Sequence, residues 1–166
     1  MIPVFDSEHT NRTIKRISHE IIEKNEGLEN IIFFAIMKKG TLVSEKISHF
    51  IEQVARTKIP TYNLDIASYR DDVCADSEVQ KLSIKIDGKH IIIIDDVIYT
   101  GRSARAAMEA IIDLGRPSKI ELVALVDRGH RELPIRPNYV GKNIPTTSKE
   151  RVVVDNNLNV YIEKVG

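Results

Sequence analysis

The chain has a single cysteine, Cys74, no tryptophan, and only 5% aromatic residues. One thiol excludes an internal disulfide and any zinc site built on clustered thiolates, and it fits a reducing compartment. Charge of one sign is lacking too: Lys plus Arg total 24 and Asp plus Glu total 24, a net of zero. That excludes a protein gripping nucleic acid by bulk positive charge, though not by a local basic patch. The apolar runs, such as residues 31–37 and 91–94, fall far short of the ~20 residues that span a bilayer. The N-terminal residues carry no basic stretch ahead of a long apolar one, so the sequence predicts a cytoplasmic protein. Repeats, low-complexity tracts and linkers are absent. What is there is 166 residues, 42% apolar and 29% charged. This describes one ordinary globular domain, able to bury about two-thirds of its unfolded surface.

Strand and helix patterns alternate along the chain, which predicts an α/β fold with a parallel sheet. Residues 6–25 read as a helix from Ile14, Ile17, Ile21 and Ile22, with Asp6 or Ser7 as its cap. Residues 31–36 are all apolar, as in a strand covered on both faces. The turn Met37-Lys38-Lys39-Gly40 follows, then a helix capped by Thr41 with Val43, Ile47, Phe50, Ile51 and Val54 as its stripe. Residues 61–67 alternate as a strand. Residues 68–88 are polar and weakly patterned, the mark of a functional lid, with Leu82, Ile84 and Ile86 as a hairpin strand within it. Residues 89–94 form the clearest strand, 95–102 a loop, and 103–114 a helix with Ala104, Ala107, Met108, Ile111 and Leu114 inward. Gly115 and Pro117 stop that helix. Residues 119–126 read as a strand and 127–150 as a long basic loop. Residues 151–154 and 158–162 form a closing hairpin about Asp155-Asn156-Asn157. His9, His49 and His90 read as structural or surface residues, and Cys74 has no nearby base to make it a nucleophile.

The most informative segment runs Ile94-Asp95-Asp96-Val97-Ile98-Tyr99-Thr100-Gly101-Arg102-Ser103. A buried strand ends in two carboxylates, and a small-residue turn then opens a helix. Open α/β sheets bind ligands at the carboxyl ends of their strands. A helix start offers unpaired N–H groups and a positive dipole end, which suit a phosphate. Thr100 and Ser103 add hydroxyls. Asp95 and Asp96 suit either vicinal ribose hydroxyls or a hydrated Mg²⁺. Neither a Walker A loop nor a G-x-G-x-x-G loop is present.

This segment resembles the 5-phosphoribosyl-1-pyrophosphate (PRPP) signature of type I phosphoribosyltransferases. Asp127-Arg128-Gly129-His130-Arg131-Glu132-Leu133-Pro134-Ile135-Arg136, with Tyr139-Val140-Gly141-Lys142-Asn143-Ile144-Pro145-Thr146 and Ser68-Tyr69-Arg70-Asp71-Asp72, narrows the likeness to the PyrR family. The resemblance runs from the first helix to about Val154. It implies a mostly parallel central sheet flanked by helices, with a small hood from the chain ends and the loop before Arg151. It implies an RNA-binding attenuator of the pyrimidine operon that also makes UMP and diphosphate from uracil and PRPP, with Mg²⁺ acting mainly through PRPP. On this likeness Asp95, Asp96 and Arg70 are the catalytic candidates. Tyr99, Thr100, Gly101, Arg102 and Ser103, with Val97 and Ile98, take the 5′-phosphate. Lys38, Lys39 and Gly40 meet pyrophosphate, Tyr69, Asp71 and Asp72 open the lid, and Asp127 and Arg128 line the uracil pocket. Two features depart from the family. Lys39 stands where an arginine is usual, with Lys38 before it in place of a small polar residue, and the lid is shorter. Both bear on catalysis more than on nucleotide binding.

The first helix carries Arg12, Lys15, Arg16 and His19, which alone suit a solvated face. From Arg128 to Arg151 six Lys/Arg face two acids, Glu132 and Glu150, a local excess of four in a neutral chain. The resemblance implies one basic RNA surface on a dimer or higher homo-oligomer, drawn from Lys15, Arg16, His19, His130, Arg131, Arg136 and Lys142. UMP or UTP in the phosphoribosyl site then tightens binding to a leader-transcript stem-loop. Two other readings stand beside this one. One is a nucleotide-sensing RNA regulator with little catalysis. The other is a plain nucleobase salvage transferase, which leaves the basic stripe without a purpose.

Overall fold

The computed structural model describes residues 1–69 and 84–166. Its elements are β1 (Ile2–Phe5), α1 (Ser7–Lys24), β2 (Ile31–Ile36), α2 (Lys39–Ala55), β3 (Thr61–Leu64), a 3-10 turn (Ala67–Tyr69), β4 (His90–Ile98), α3 (Arg102–Leu114), β5 (Lys119–Asp127), β6 (Tyr139–Asn143), β7 (Glu150–Val154) and β8 (Val160–Lys164). Five strands form a parallel sheet in the order β3-β2-β4-β5-β6. Counted within that sheet the order is 2-1-3-4-5, a doubly wound topology. Its order reverses between β2 and β4, and a ligand crevice is expected at the carboxyl ends of those two strands.

The all-apolar strands are covered on both faces, as their composition predicts. Ile31, Phe33, Ile92, Ile94, Val123 and Leu125 point into a core shared with α1 and α2. Ile32, Phe34, Ile91, Ile93, Leu122 and Ala124 point into the opposite core, under α3. Ala104, Ala106, Ala107, Ala110 and Ile111 make the buried face of α3. Met108 and Leu114, expected inward, are only partly buried. Of the stripe expected on α2, Val43, Ile47 and Ile51 are buried, whereas Phe50 is half-buried and Val54 exposed.

Several boundaries differ from the sequence reading. The segment 95–98 is strand, not loop, because Asp95, Val97 and Ile98 continue the register with Ala124, Val126 and Asp127 of β5. Thr41 lies inside α2, whose first residue is Lys39, so it does not cap that helix. Asp6 does cap α1, its Oδ1 accepting the His9 N–H at 2.9 Å. The third strand ends at Leu64, short of the expected end at Ala67, where a 3-10 turn over Ala67–Tyr69 begins. Ile84 and Ile86 lie in no strand, and Leu82 is outside the described residues. The long basic loop contains a strand, β6, paired with β5 at the sheet edge. The closing hairpin is β7 and β8, as expected, and β1 adds an edge strand to it, giving the hood a sheet of order β1-β8-β7. Among the described residues no helix is long and apolar enough to cross a membrane.

Candidate active site and basic surface

The two segments at the reversal point of the sheet are the turn after β2 and the loop after β4. They touch. A Cβ placed on Gly40 would lie 2.6 Å from the Ile94 carbonyl oxygen and 3.4 Å from the Asp95 Cα. Only a residue without a side chain lets the turn of Lys38 and Lys39, which follows a cis Met37–Lys38 peptide bond, sit this close to Asp95. Lys38 is exposed and Lys39 half-buried, and Gly40 brings the turn that carries them against the backbone of Asp95. The Lys39 ammonium bonds to Asn156 Oδ1 on the hood.

Asp95 is buried at 9% exposure, and its Oδ1 accepts the Asp96 N–H at 2.8 Å. Asp96 is half-buried and lies one residue further toward the crevice. Then the chain leaves the sheet. Gly101, at φ +95°, starts α3, and Thr100 Oγ1 accepts the Arg102 N–H at 3.2 Å. The concavity here, about 400 Å³, is lined by Asp95, Val97 to Ala104 and Glu132. Its lining combines the Asp95 carboxylate with a helix start, two hydroxyls and a close-approach glycine. That pairing suits one ligand bearing both a phosphate and a sugar.

The chain after β5 covers this loop. Thr100 O accepts the N–H groups of Glu132 and Leu133, at 2.9 and 3.2 Å. Arg102 pairs with Glu132 at 2.9 Å. Beyond it opens a larger concavity of about 1070 Å³, walled by Asp127 to Arg131, Leu133 to Pro137, Val140, Asn143, Pro145 and Thr146. Asp127 and Arg128 line it. Their side chains are already engaged. Arg128, 7% exposed, donates to Thr146 Oγ1 at 3.0 Å and to the carbonyls of Thr147 and Glu150. Its guanidinium stacks 3.8 Å from the centre of the Tyr99 ring. Asp127 Oδ2 pairs with Arg131 at 2.5 Å, and its Oδ1 accepts the Gly129 N–H.

The basic residues divide into two groups. Lys15 and His19 lie over the Phe50 ring of α2, at 5.9 and 5.1 Å between centres. Arg16 reaches the other way, donating to the carbonyls of Val140 and Gly141 in β6 at 3.1 and 2.6 Å and pairing with Glu20. α1 thus lies between α2 and β6, with Lys142 exposed on β6 and Arg136 exposed just before it. His130 and Arg131 are tied down inside the loop. His130 Nε2 meets the Thr146 carbonyl, and Arg131 holds Asp127, the Ile135 carbonyl and, at 2.7 Å, the Tyr99 carbonyl. Arg131 therefore touches both the phosphate loop and the larger concavity.

Tyr69 stands apart. Burial, with hydrogen bonding and charge from Asp113, holds its phenol above the ordinary value. Asp113 is eleven residues along α3 from Arg102, about 16 Å of helix from the phosphate loop. Arg70, Asp71, Asp72 and Cys74 lie outside the described residues. Sequence reasoning passed over Glu132, whose pairing with Arg102 closes the phosphate loop, and Asn156. In the sequence Glu132 stands inside the Asp127–Arg136 block and is one of two acids in a basic stretch, with no signal of its own.

The comparisons with known proteins agree with this geometry. The phosphoribosyl transferase domain family matches residues 4–155. A bifunctional protein PyrR of Thermoanaerobacter sp. (strain X514) is 47% identical over 167 residues, covering 98% of this chain and 90% of its own. Another, from Actinobacillus pleuropneumoniae serotype 5b, is 49% identical over 156 residues, covering 91% and 87%. Among solved structures, the hypoxanthine phosphoribosyltransferase of Trypanosoma cruzi matches with a TM-score of 0.78 at 18% identity, covering 100% of this chain and 98% of its own. That likeness carries the fold alone.

Proposed function

We infer the function from one premise: the chain belongs to the PyrR family of phosphoribosyltransferases. It is a bifunctional attenuator, binding pyrimidine-operon leader RNA in response to uridine nucleotides and converting uracil and PRPP to UMP and diphosphate. The observation supporting a working site is the contact of Gly40 with Ile94 and Asp95. It joins a lysine turn suited to pyrophosphate to carboxylates suited to ribose.

In the proposed reaction the bond from C1 of the ribose to the pyrophosphate oxygen breaks, its electron pair leaving with diphosphate, and the uracil N1–C1 bond forms while the N1 proton passes to solvent water. Positive charge builds at C1 and its ring oxygen, as in glycoside cleavage. Asp96 and Asp95 face that charge and hold the ribose hydroxyls. The N–H groups opening α3, with Thr100 and Ser103, bind the 5′-phosphate. Lys38 and Lys39 stabilise the departing pyrophosphate. Arg70, Asp71 and Asp72, with Tyr69, belong to the segment expected to cover it. Asp127 lies at the uracil end, and Arg128 shapes that wall with its guanidinium committed to the hood.

Among the described residues no group of three or more His, Cys, Asp or Glu is arranged to hold a metal. The donors at the site are hard carboxylate oxygens, which fit a Mg²⁺ ion carried mostly by PRPP and water. Asp95 and Asp96 would meet it, and it would neutralise charge on the pyrophosphate.

RNA recognition favours unpaired bases held by stacking, arginine and phosphate contacts. Lys15, Arg16, His19, Arg136 and Lys142 offer the accessible part of such a surface. His130 and Arg131 act from beneath, through the loop they brace. The surface operates in a homodimer or higher homo-oligomer.

The test is UMP formation from uracil and PRPP with Mg²⁺, beside Asp96→Asn. Turnover that falls at least about a hundredfold in the variant is expected, the scale of losing one charge-stabilising group. Turnover unchanged in Asp96→Asn would remove the ribose role of that carboxylate.

A further inference from the structure

Lys39 is the first residue of α2. A cation there faces the positive end of the helix dipole, an unfavourable place for an ammonium unless an oxygen lies near. The oxygen it finds is Oδ1 of Asn156, on the turn of the hood hairpin 117 residues away. Both backbones in this contact are fixed. On one side, Gly40 is wedged against Ile94 and Asp95. On the other, Asp155 locks the turn: its Oδ1 accepts the N–H groups of Asn157 and Asn159, both at 2.9 Å, and its Oδ2 accepts the Asn159 amide at 3.0 Å. The turn is then pinned to α1, where Asn159 Oδ1 takes the Ser7 N–H at 2.7 Å and the Leu158 carbonyl takes the Thr10 hydroxyl at 2.6 Å. Leu158 itself is 1% exposed in the core. Only two side chains in this contact are soft.

We propose that Asn156 is a positioning residue for the transferase reaction, giving direction to the Lys39 ammonium over the pyrophosphate end of the site. The proposal rests on the phosphoribosyltransferase reading of that site. An arginine brings its own planar fork to a phosphate. A lysine is a point charge on a flexible stem and has no such direction of its own. The hood supplies it here. The amide oxygen holds one N–H of the ammonium and restricts the stem before substrate arrives, so less rotamer freedom is lost when the remaining N–H groups meet pyrophosphate oxygens.

The experiment is a kinetic double-mutant cycle on the full chain, with PRPP binding by calorimetry as a second readout. Asn156→Ala should raise the KM and Kd for PRPP by about three- to tenfold, the scale of freeing one long side chain, and leave the KM for uracil unchanged. The same change should have no effect in Lys39→Ala, and a smaller effect in Lys39→Arg, where the fork restores direction. Asn157→Ala, in the same turn but without the contact, should match the parent. An Asn156→Ala protein with parental PRPP affinity overturns the proposal, as does an equal loss in the Lys39→Ala background. A parent chain that neither binds nor turns over PRPP overturns the underlying reading of the site instead.

Discussion

Gly40 shows how one residue can decide whether the two halves of the site meet. Its missing side chain leaves room for the Ile94 carbonyl, which a Cβ would approach to 2.6 Å. Backbone on both sides means neither can yield cheaply. Gly40→Ala should therefore cost about 1–3 kcal/mol of stability, as overpacking does, and weaken PRPP binding more than uracil binding; thermal melts and calorimetry check both. Arg128 shows the opposite case. The resemblance has it line the uracil pocket, and its guanidinium is engaged with Thr146, Thr147, Glu150 and the Tyr99 ring. No sequence pattern announces a backbone carbonyl as a partner, so this clamp was not legible. The Asp127–Arg131 pair was at least visible as a spacing of four, although it lies in a loop and not on a helix.

At the scale of elements, a polar network joins four of them at the end of the sheet away from the site. Glu121 of β5 holds Lys24 of α1 at 2.7 Å, His90 of β4 at 2.6 Å and the Tyr139 hydroxyl of β6 at 3.3 Å. Burial lowers the His90 value below its usual one, against the pull of Glu121. Burial would raise Glu121, but Lys24 and His90 overcome it and hold the carboxyl below its usual range. Both shifts have the same sign for stability. The unfolded chain takes up the His90 proton first as pH falls below about 6.5, and the Glu121 proton at lower pH, so stability is present above these points and lost beneath them. Tyr139 is pushed up to about 12, chiefly by burial. Its contribution is present below pH 10 or so and lost as pH rises toward the folded value. Denaturant midpoints should fall between pH 7 and 5, and fall less in His90→Gln; identical slopes would remove His90 from the account.

The contact of α1 with β6 makes a further distinction between cations. Arg16 ties the helix to the carbonyls of Val140 and Gly141, whereas Lys142 and Arg136 are exposed. Lys142→Ala and Arg136→Ala should each weaken RNA binding several-fold and lower its salt slope by about one, with melting unchanged. Arg16→Ala should lower both RNA affinity and the melting temperature. Filter binding over a salt series, beside thermal melts, separates the two kinds of residue.

For the whole molecule, the parallel sheet was legible because β2 and the first part of β4 are unbroken apolar runs and strands alternate with amphipathic helices. The loop after β4 was legible as a candidate site because carboxylates, glycine and hydroxyls fall together in ten residues. The edges were not. β1 is four residues containing Pro3, too short and too irregular to stand out, and it exists by pairing with β8. β6 reads Tyr-Val-Gly-Lys-Asn, and its polar half hides a strand that β5 and α1 complete. Gly141 permits that packing, since a Cβ there would fall 2.2 Å from the Leu125 carbonyl oxygen. The loop between β5 and β6 is where the nucleotide site and the basic surface share residues: Arg131 touches the Tyr99 carbonyl and Asp127 at once. A ligand that orders the loop after β4 would therefore bear on the same segment that braces the proposed RNA surface, and linkage would make the effect reciprocal. The most direct test is the affinity of the protein for a pyrimidine-leader stem-loop, measured with and without saturating UMP at fixed salt. Tighter binding with UMP, and no such gain for an unrelated hairpin, is the predicted result. A stem-loop affinity that UMP leaves unchanged would contradict the account.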